Sequence, residues 1–173
     1  MNEQKTKLKL YKALGSELGL HAQKFLRKAF NVKYTVIDSG TMTGIIKLAT
    51  GLDPLLYDHK FYLTDWETWK QILEYDWTPK SKYIADRYDC DNFAGSFNSR
   101  MAEIYGLNSA GRFTNMMNYQ DGRKVPHRAT VIVTSDNKLY ALEPQEHNWC
   151  LVEKGKPIII SDRAYEPKLI AFN

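Results

Sequence analysis

Residues 129–142 run Ala-Thr-Val-Ile-Val-Thr-Ser-Asp-Asn-Lys-Leu-Tyr-Ala-Leu. Ala129 to Val133 is short and β-branched, Ser135-Asp136-Asn137-Lys138 has turn chemistry, and Leu139 to Leu142 returns as a partner strand. Two more strand-like runs follow at about 149–153 and 157–161, with Gly155 at the turn between them, and a last short one at 168–172.

The chain before this region reads as helical. Phe93, Phe97, Met101 and Ile104 recur every three or four residues, so 89–105 is the strongest helix, with Gly106 just past its end. Thr64-Asp65-Trp66-Glu67 has the form of a capping box opening a helix to about Tyr75, and Pro79 ends that element. Residues 2–14 and 17–30 read as two further helices, with Ser16 a fitting N-cap. Between 33 and 63, Tyr34–Val36 and Ile45–Leu48 suit short strands or helical pieces. Helices followed by an antiparallel sheet predict an α+β fold, with the helices packed on a C-terminal antiparallel β-sheet.

With 173 residues, 43% apolar and 25% charged, the composition is globular and excludes a disordered or collagen-like chain. One compact domain is expected: a basic helical arm over 1–33 and a catalytic domain over 34–173. The apolar runs are far shorter than the roughly 20 residues of a membrane span. Lys5, Lys7, Lys9 and Lys12 interrupt any signal-peptide core, so a soluble, cytoplasmic protein is expected. Residues 1–33 hold eight Lys and Arg against Glu3 and Glu17. Such an arm suits an anionic partner or a solvated helix face.

Cys90 and Cys150 form no disulfide framework and no zinc motif. Cys150 sits in an apolar run, the setting of a buried structural thiol. Cys90 opens the strongest helix in Tyr88-Asp89-Cys90-Asp91-Asn92-Phe93, where free N–H groups and the helix dipole favour a thiolate. Asp89 and Asp91 oppose this by repulsion. A hairpin centred near Ser135 to Asp136 places His127 almost directly across from Glu143, with Cβ atoms about 4.5–5.5 Å apart. A carboxylate on one ring nitrogen leaves the other for a thiol, so Cys90, His127 and Glu143 have the logic of nucleophile, base and orienter. His147, four residues after Glu143, is a rival for the base, ranked second because it follows Pro144.

The order Cys, His, Glu resembles the papain-like and transglutaminase-like cysteine peptidase group, in particular the C-terminal protease domain of mushroom agglutinins and its microbial and phage relatives. The resemblance rests on Tyr88 to Ala94, on His127 before Ala129-Thr130-Val131, and on Leu142-Glu143-Pro144-Gln145. It implies a papain-like fold and a cysteine hydrolase of peptide or amide bonds, with a peptide or protein substrate. In it Cys90 is the nucleophile, His127 the general base and acid, and Glu143 the orienting acid. Calcium dependence is also implied, with Asp89, Asp91, Gln145 and Glu146 as oxygen donors. One departure matters: papain-like enzymes place a Gln shortly before the Cys, and residues 79–89 contain none. The oxyanion donors would be the Cys90 N–H with Tyr83, Tyr88 or the more distant Gln71.

Two enzymatic alternatives are a peptidoglycan amidase or endopeptidase and a transglutaminase-type acyl transferase. A third alternative is a non-catalytic binding or virion-associated module on a degenerate protease fold. The missing Gln is its best support. The absence of GxSxG, GxxxxGK[ST] and GxGxxG motifs speaks against α/β-hydrolase and nucleotide chemistry.

Overall fold

The computed structural model describes residues 28–172 together with Phe25. The helices expected at 2–14 and over most of 17–30 lie outside the described residues. Nine strands run β1 (Thr35–Asp38), β2 (Leu55–Leu56), β3 (Lys60–Leu63), β4 (Ala110–Asn118), β5 (Lys124–Val133), β6 (Leu139–Glu143), β7 (Asn148–Val152), β8 (Ile158–Ile160) and β9 (Arg163–Phe172). The helices are α1 (Ser39–Thr50), α2 (Trp66–Tyr75) and α3 (Cys90–Tyr105), with a 3-10 turn at Thr78–Lys80.

The architecture is mostly β. A seven-stranded sheet has the order β2-β9-β4-β5-β6-β7, with β8 paired to β9, and β1 pairs β3 in a separate two-stranded sheet. The large sheet is mixed, because β2 runs parallel to β9 through Leu55↔Ala171 and Leu56↔Phe172. This corrects the expected α+β papain-like fold of helices on a C-terminal antiparallel sheet. The sheet draws its second strand, β2, from residue 55 onward and is centred on β4. That strand shows no clean alternation of apolar and polar types in Ala-Gly-Arg-Phe-Thr-Asn-Met-Met-Asn, so periodicity alone does not expose it.

The sheet separates two cores. On one face Met42 and Ile46 of α1 and Phe61 and Leu63 of β3 cover Phe113, Val131 and Ala141. On the other, Trp69 and Ile72 of α2 and Phe97, Met101 and Ile104 of α3 cover Ala110, Ile132, Tyr140 and Leu142. Alternation along β5 divides its side chains between these cores, as the two-residue period of a strand requires. Burial of this kind is the main favourable term holding the sheet. At Gly111 the fit is tightest: a Cβ there would lie 2.7 Å from the Phe172 ring.

The local helix signals are realised with one shift. Asp65, not Thr64, caps α2, accepting from the Thr68 N–H at 2.7 Å. Thr64 is buried, and its carbonyl accepts from the Ser135 N–H. Helix α3 starts at Cys90 with Asp89 as N-cap and ends at Gly106 in the left-handed conformation. Of the ambiguous stretch, Thr35–Asp38 is a strand and Ile45–Leu48 lies inside α1. No helix of the described residues is long and apolar enough to cross a membrane.

Candidate functional site

Three elements meet at Cys90: the first turn of α3, the early part of β5 and the end of β6. The Asn92 side chain accepts from the Asp89 N–H at 3.2 Å, which fixes the entry to α3. Cys90 is a half-buried free thiol, and the His127 ring and the Arg128 backbone are the groups that act on it most favourably. The His127 contact is the largest influence on the thiol and, with the N–H of Arg128, holds it below its ordinary range despite burial and the nearby Asp89. Asp89 is raised and Asp91 lowered, chiefly by the hydrogen bond the two share.

His127 Nε2 lies 2.7 Å from Glu143 Oε2, both residues buried. Nδ1 is therefore the ring nitrogen left for Cys90. Burial opposes charge on the ring, but the hydrogen bonds to Cys90 and Glu143 outweigh it and push His127 up to about 9. Glu143 is held in turn: the Tyr165 hydroxyl donates to its Oε2 at 3.2 Å and the Gln145 N–H approaches its Oε1 at 3.4 Å. Next door, Arg163 binds Glu146 at 2.5 Å. On β4, Asn115 pairs with His127 across the sheet, and the β4–β9 register shifts beside it, between Thr114 and Asn115. Such irregularities re-aim side chains beside sites. Chemically, the His127 ring favours the ionised form of the Cys90 thiol, and a thiol so placed is more nucleophilic than an ordinary one.

Cys90, His127 and Glu143 are thus brought together, while the other expected members are scattered. Tyr83 is exposed, its hydroxyl raised by desolvation and by the nearby charges of Asp89 and Cys90. Tyr88 turns away, donating to Ser96 Oγ at 3.2 Å and packing edge-on against Phe93. Gln71 is exposed on α2, and no contact joins it to Cys90. Asp89 and Asp91 are taken up with each other, Glu146 with Arg163 and Asn148, and Gln145 offers its backbone to Glu143. Among the described residues no three His, Cys, Asp or Glu side chains gather as a group that could hold a metal ion. The sequence reading missed Tyr165, Asn115 and the Arg128 N–H, because strand pairing rather than any local motif brings them in.

His147, the rival base, belongs elsewhere. It sits in the left-handed region at φ 56, at the end of the tight turn after Glu143, and its Nε2 lies 3.0 Å from Asp76. Beside it opens a groove of about 420 Å³ walled by Lys70, Glu74, Asp76, Pro79, His147 and Trp149, among others. Trp66 stacks on Tyr140 with ring centroids 3.8 Å apart, and Trp149 stands edge-on to both.

No family model and no curated protein matches the sequence. The fold is shared with solved structures at low sequence identity. A Polyporus squamosus lectin solved with the human-type influenza-binding epitope Neu5Aca2-6Galb1-4GlcNAc superposes with a TM-score of 0.61 at 14% identity. That match covers 79% of this chain and 49% of the lectin chain. A second structure, the PSL1a-E64 complex, gives a TM-score of 0.56 at 14% identity over 79% of this chain and 51% of the other. The chain therefore spans about half the length of these proteins.

These comparisons correct the reading from the Cys-His-Glu motif. The structure that superposes with a TM-score of 0.61 is that of a lectin, where the motif implied a papain-like cysteine peptidase. The expected membership of the peptidase group and the main reading as a cysteine peptidase are corrected with it. Geometry at three residues recurs on unrelated folds, so it does not by itself carry a family.

Proposed function

We propose that the chain is a non-catalytic binding module for a carbohydrate-bearing partner, with the groove beside Trp149 as its contact surface. The observation that carries this is the Trp149 indole, which is 42% exposed yet held on its inner side by Trp66 and Tyr140. A rigid, exposed aromatic face accepts the apolar face of a pyranose at little conformational cost, and Glu74, Lys70 and His147 offer the polar groups that its hydroxyls need. The likeness to a lectin solved with a sialylated epitope supports the same reading. The basic residues of 1–33 would add salt-sensitive attraction if the partner is anionic.

The test is retention on a panel of immobilised glycans, with wild type and Trp149→Ala compared. Wild type is expected to be retained on a subset of sugars, and Trp149→Ala to bind them at least tenfold more weakly with an unchanged circular dichroism spectrum. Retention on no sugar overturns the reading. So does cleavage of peptide substrates that disappears in Cys90→Ala.

A second reading is favoured by the 2.7 Å contact between His127 and Glu143 together with the lowered Cys90 thiol. Within the same module, Cys90, His127 and Glu143 would form a reactive thiol centre, in which the Cys90 sulfur displaces iodide from an alkylating agent such as iodoacetamide faster than an ordinary thiol does while its proton passes to His127. Alkylation kinetics test it, as set out below.

A further inference from the structure

A small cavity of about 150 Å³ lies between one flank of α3 and strands β4 and β9, away from both regions described above. Gly95, Asn98 and Ser99 line it from the helix, and Ala110, Arg112 and Ala171 from the strands. Small residues on both walls keep the space open. Strand pairing sets Arg112 beside Ala171, and its guanidinium lies close to Gly95, where an added Cβ would come within 3.9 Å of Nη2.

The charge in this cavity has no counterpart. Four arginines of the described residues are half-buried: Arg100, Arg112, Arg128 and Arg163. Arg100 faces Asp76, Arg128 faces Asp91, and Arg163 faces Glu146 and Asp162. Among the described residues no ion pair or hydrogen bond holds the Arg112 side chain. A guanidinium partly removed from water normally has an anion or an acceptor on its donor fork. The other polar groups in the cavity are donors as well. Thr130 donates its hydroxyl to Asn98 Oδ1 at 3.1 Å, which leaves the Asn98 amide nitrogen free to donate. Ser99 adds a hydroxyl. Asn108 also lines the space, but its amide nitrogen is spent on Asp58 and the Lys60 carbonyl.

We propose that this cavity is an oxyanion-binding site, in which Arg112 clamps a phosphate, sulfate or carboxylate group and Asn98 and Ser99 complete its hydrogen bonds. A planar guanidinium meets such groups with two parallel N–H···O bonds, the geometry that separates them from chloride. The same chemistry would serve a free ion or a group carried on a larger ligand. The site is independent of the carbohydrate groove, so either can fail without the other.

Titration with inorganic phosphate, against sodium chloride of equal ionic strength, tests it through the Arg112 Nε–H resonance in a ¹⁵N-labelled protein. Saturable shift of that resonance by phosphate but not chloride is expected, with binding weakened at least tenfold in Arg112→Gln and unchanged in Arg87→Gln. Gly95→Leu keeps the guanidinium but fills the space, and should also abolish binding, so the result does not hang on one variant folding. Titration with phenyl phosphate separates the sources: binding of both probes means a group carried on a larger ligand can enter, and binding of inorganic phosphate alone means a free ion. No saturable shift in wild type overturns the proposal, as does equal phosphate affinity in Arg112→Gln and wild type.

Discussion

His127 and Glu143 bind each other across two neighbouring strands without being opposite one another. The register of β5 on β6 pairs Thr130 with Leu142 and Val131 with Ala141, so Glu143 lies across from Ala129, two residues from His127. An offset of two keeps both side chains on the same face, and the diagonal is bridged by the length of the glutamate and the imidazole. An offset of one would have sent them to opposite faces.

Cys90 should alkylate faster than Cys150. The His127 contact lowers the Cys90 thiol, whereas burial raises that of Cys150. Iodoacetamide at pH 6 is expected to label Cys90 at least tenfold faster, with its rate titrating below the roughly 8.5 of a free thiol. His127→Ala should move that titration upward. Equal rates at the two cysteines, or a titration unmoved by His127→Ala, would rule out the reactive-centre reading.

Glu143 should matter to stability and to the charge on His127. Removing one partner of a buried ion pair costs about 3–5 kcal/mol, so Glu143→Ala should lower the urea midpoint accordingly. Glu143→Gln keeps the shape, and should bring the His127 titration, followed by NMR, down from about 9. Because that value lies above the unfolded 6.5, the His127 contribution to stability is complete below about pH 6.5 and is lost as the pH rises through about 9. A His127 titration unchanged in Glu143→Gln would show that the carboxylate does not hold the ring charged.

Asp76 should anchor the helical side at neutral pH and release it in acid. Burial opposes its charge, but the hydrogen bond from His147 and the Arg100 guanidinium hold the carboxyl below the usual range. Its contribution is present above the unfolded carboxyl range and fades as pH falls through the lowered value. Asp76→Ala strands both partners and should cost about 3–5 kcal/mol by urea denaturation. A loss below about 1 kcal/mol, the worth of an exposed ion pair, would mean that these charges are effectively solvated.

Gly111→Ala should be destabilising for lack of space alone. Its Cβ would fall 2.7 Å from the buried Phe172 ring, which closes the core between β4 and β9. Overpacking of this kind costs about 1–3 kcal/mol, and thermal or urea unfolding should show it. An unchanged midpoint would mean that the ring moves aside freely.

The chemistry of single elements was legible in the residues themselves. The apolar spacing of 93–104, Asp89 before it and Gly106 after it mark out α3, because a helix depends on contacts three and four residues apart. The hairpin at 129–142 is equally local, and its turn places His127 within reach of Glu143 to within two residues. What the sequence did not reveal was which strands lie side by side. Strand β4 sits between β5 and β9, the latter paired to it through residues as far apart in the chain as Arg112 and Ala171, and β2 joins the same sheet parallel to β9. Such pairings are set by the burial of two opposing faces in the whole molecule, and no short window of residues encodes them. They alone place Tyr165 on Glu143, Asn115 beside His127 and Arg112 without a carboxylate, whereas the thiol at the start of a helix could be read from six consecutive residues.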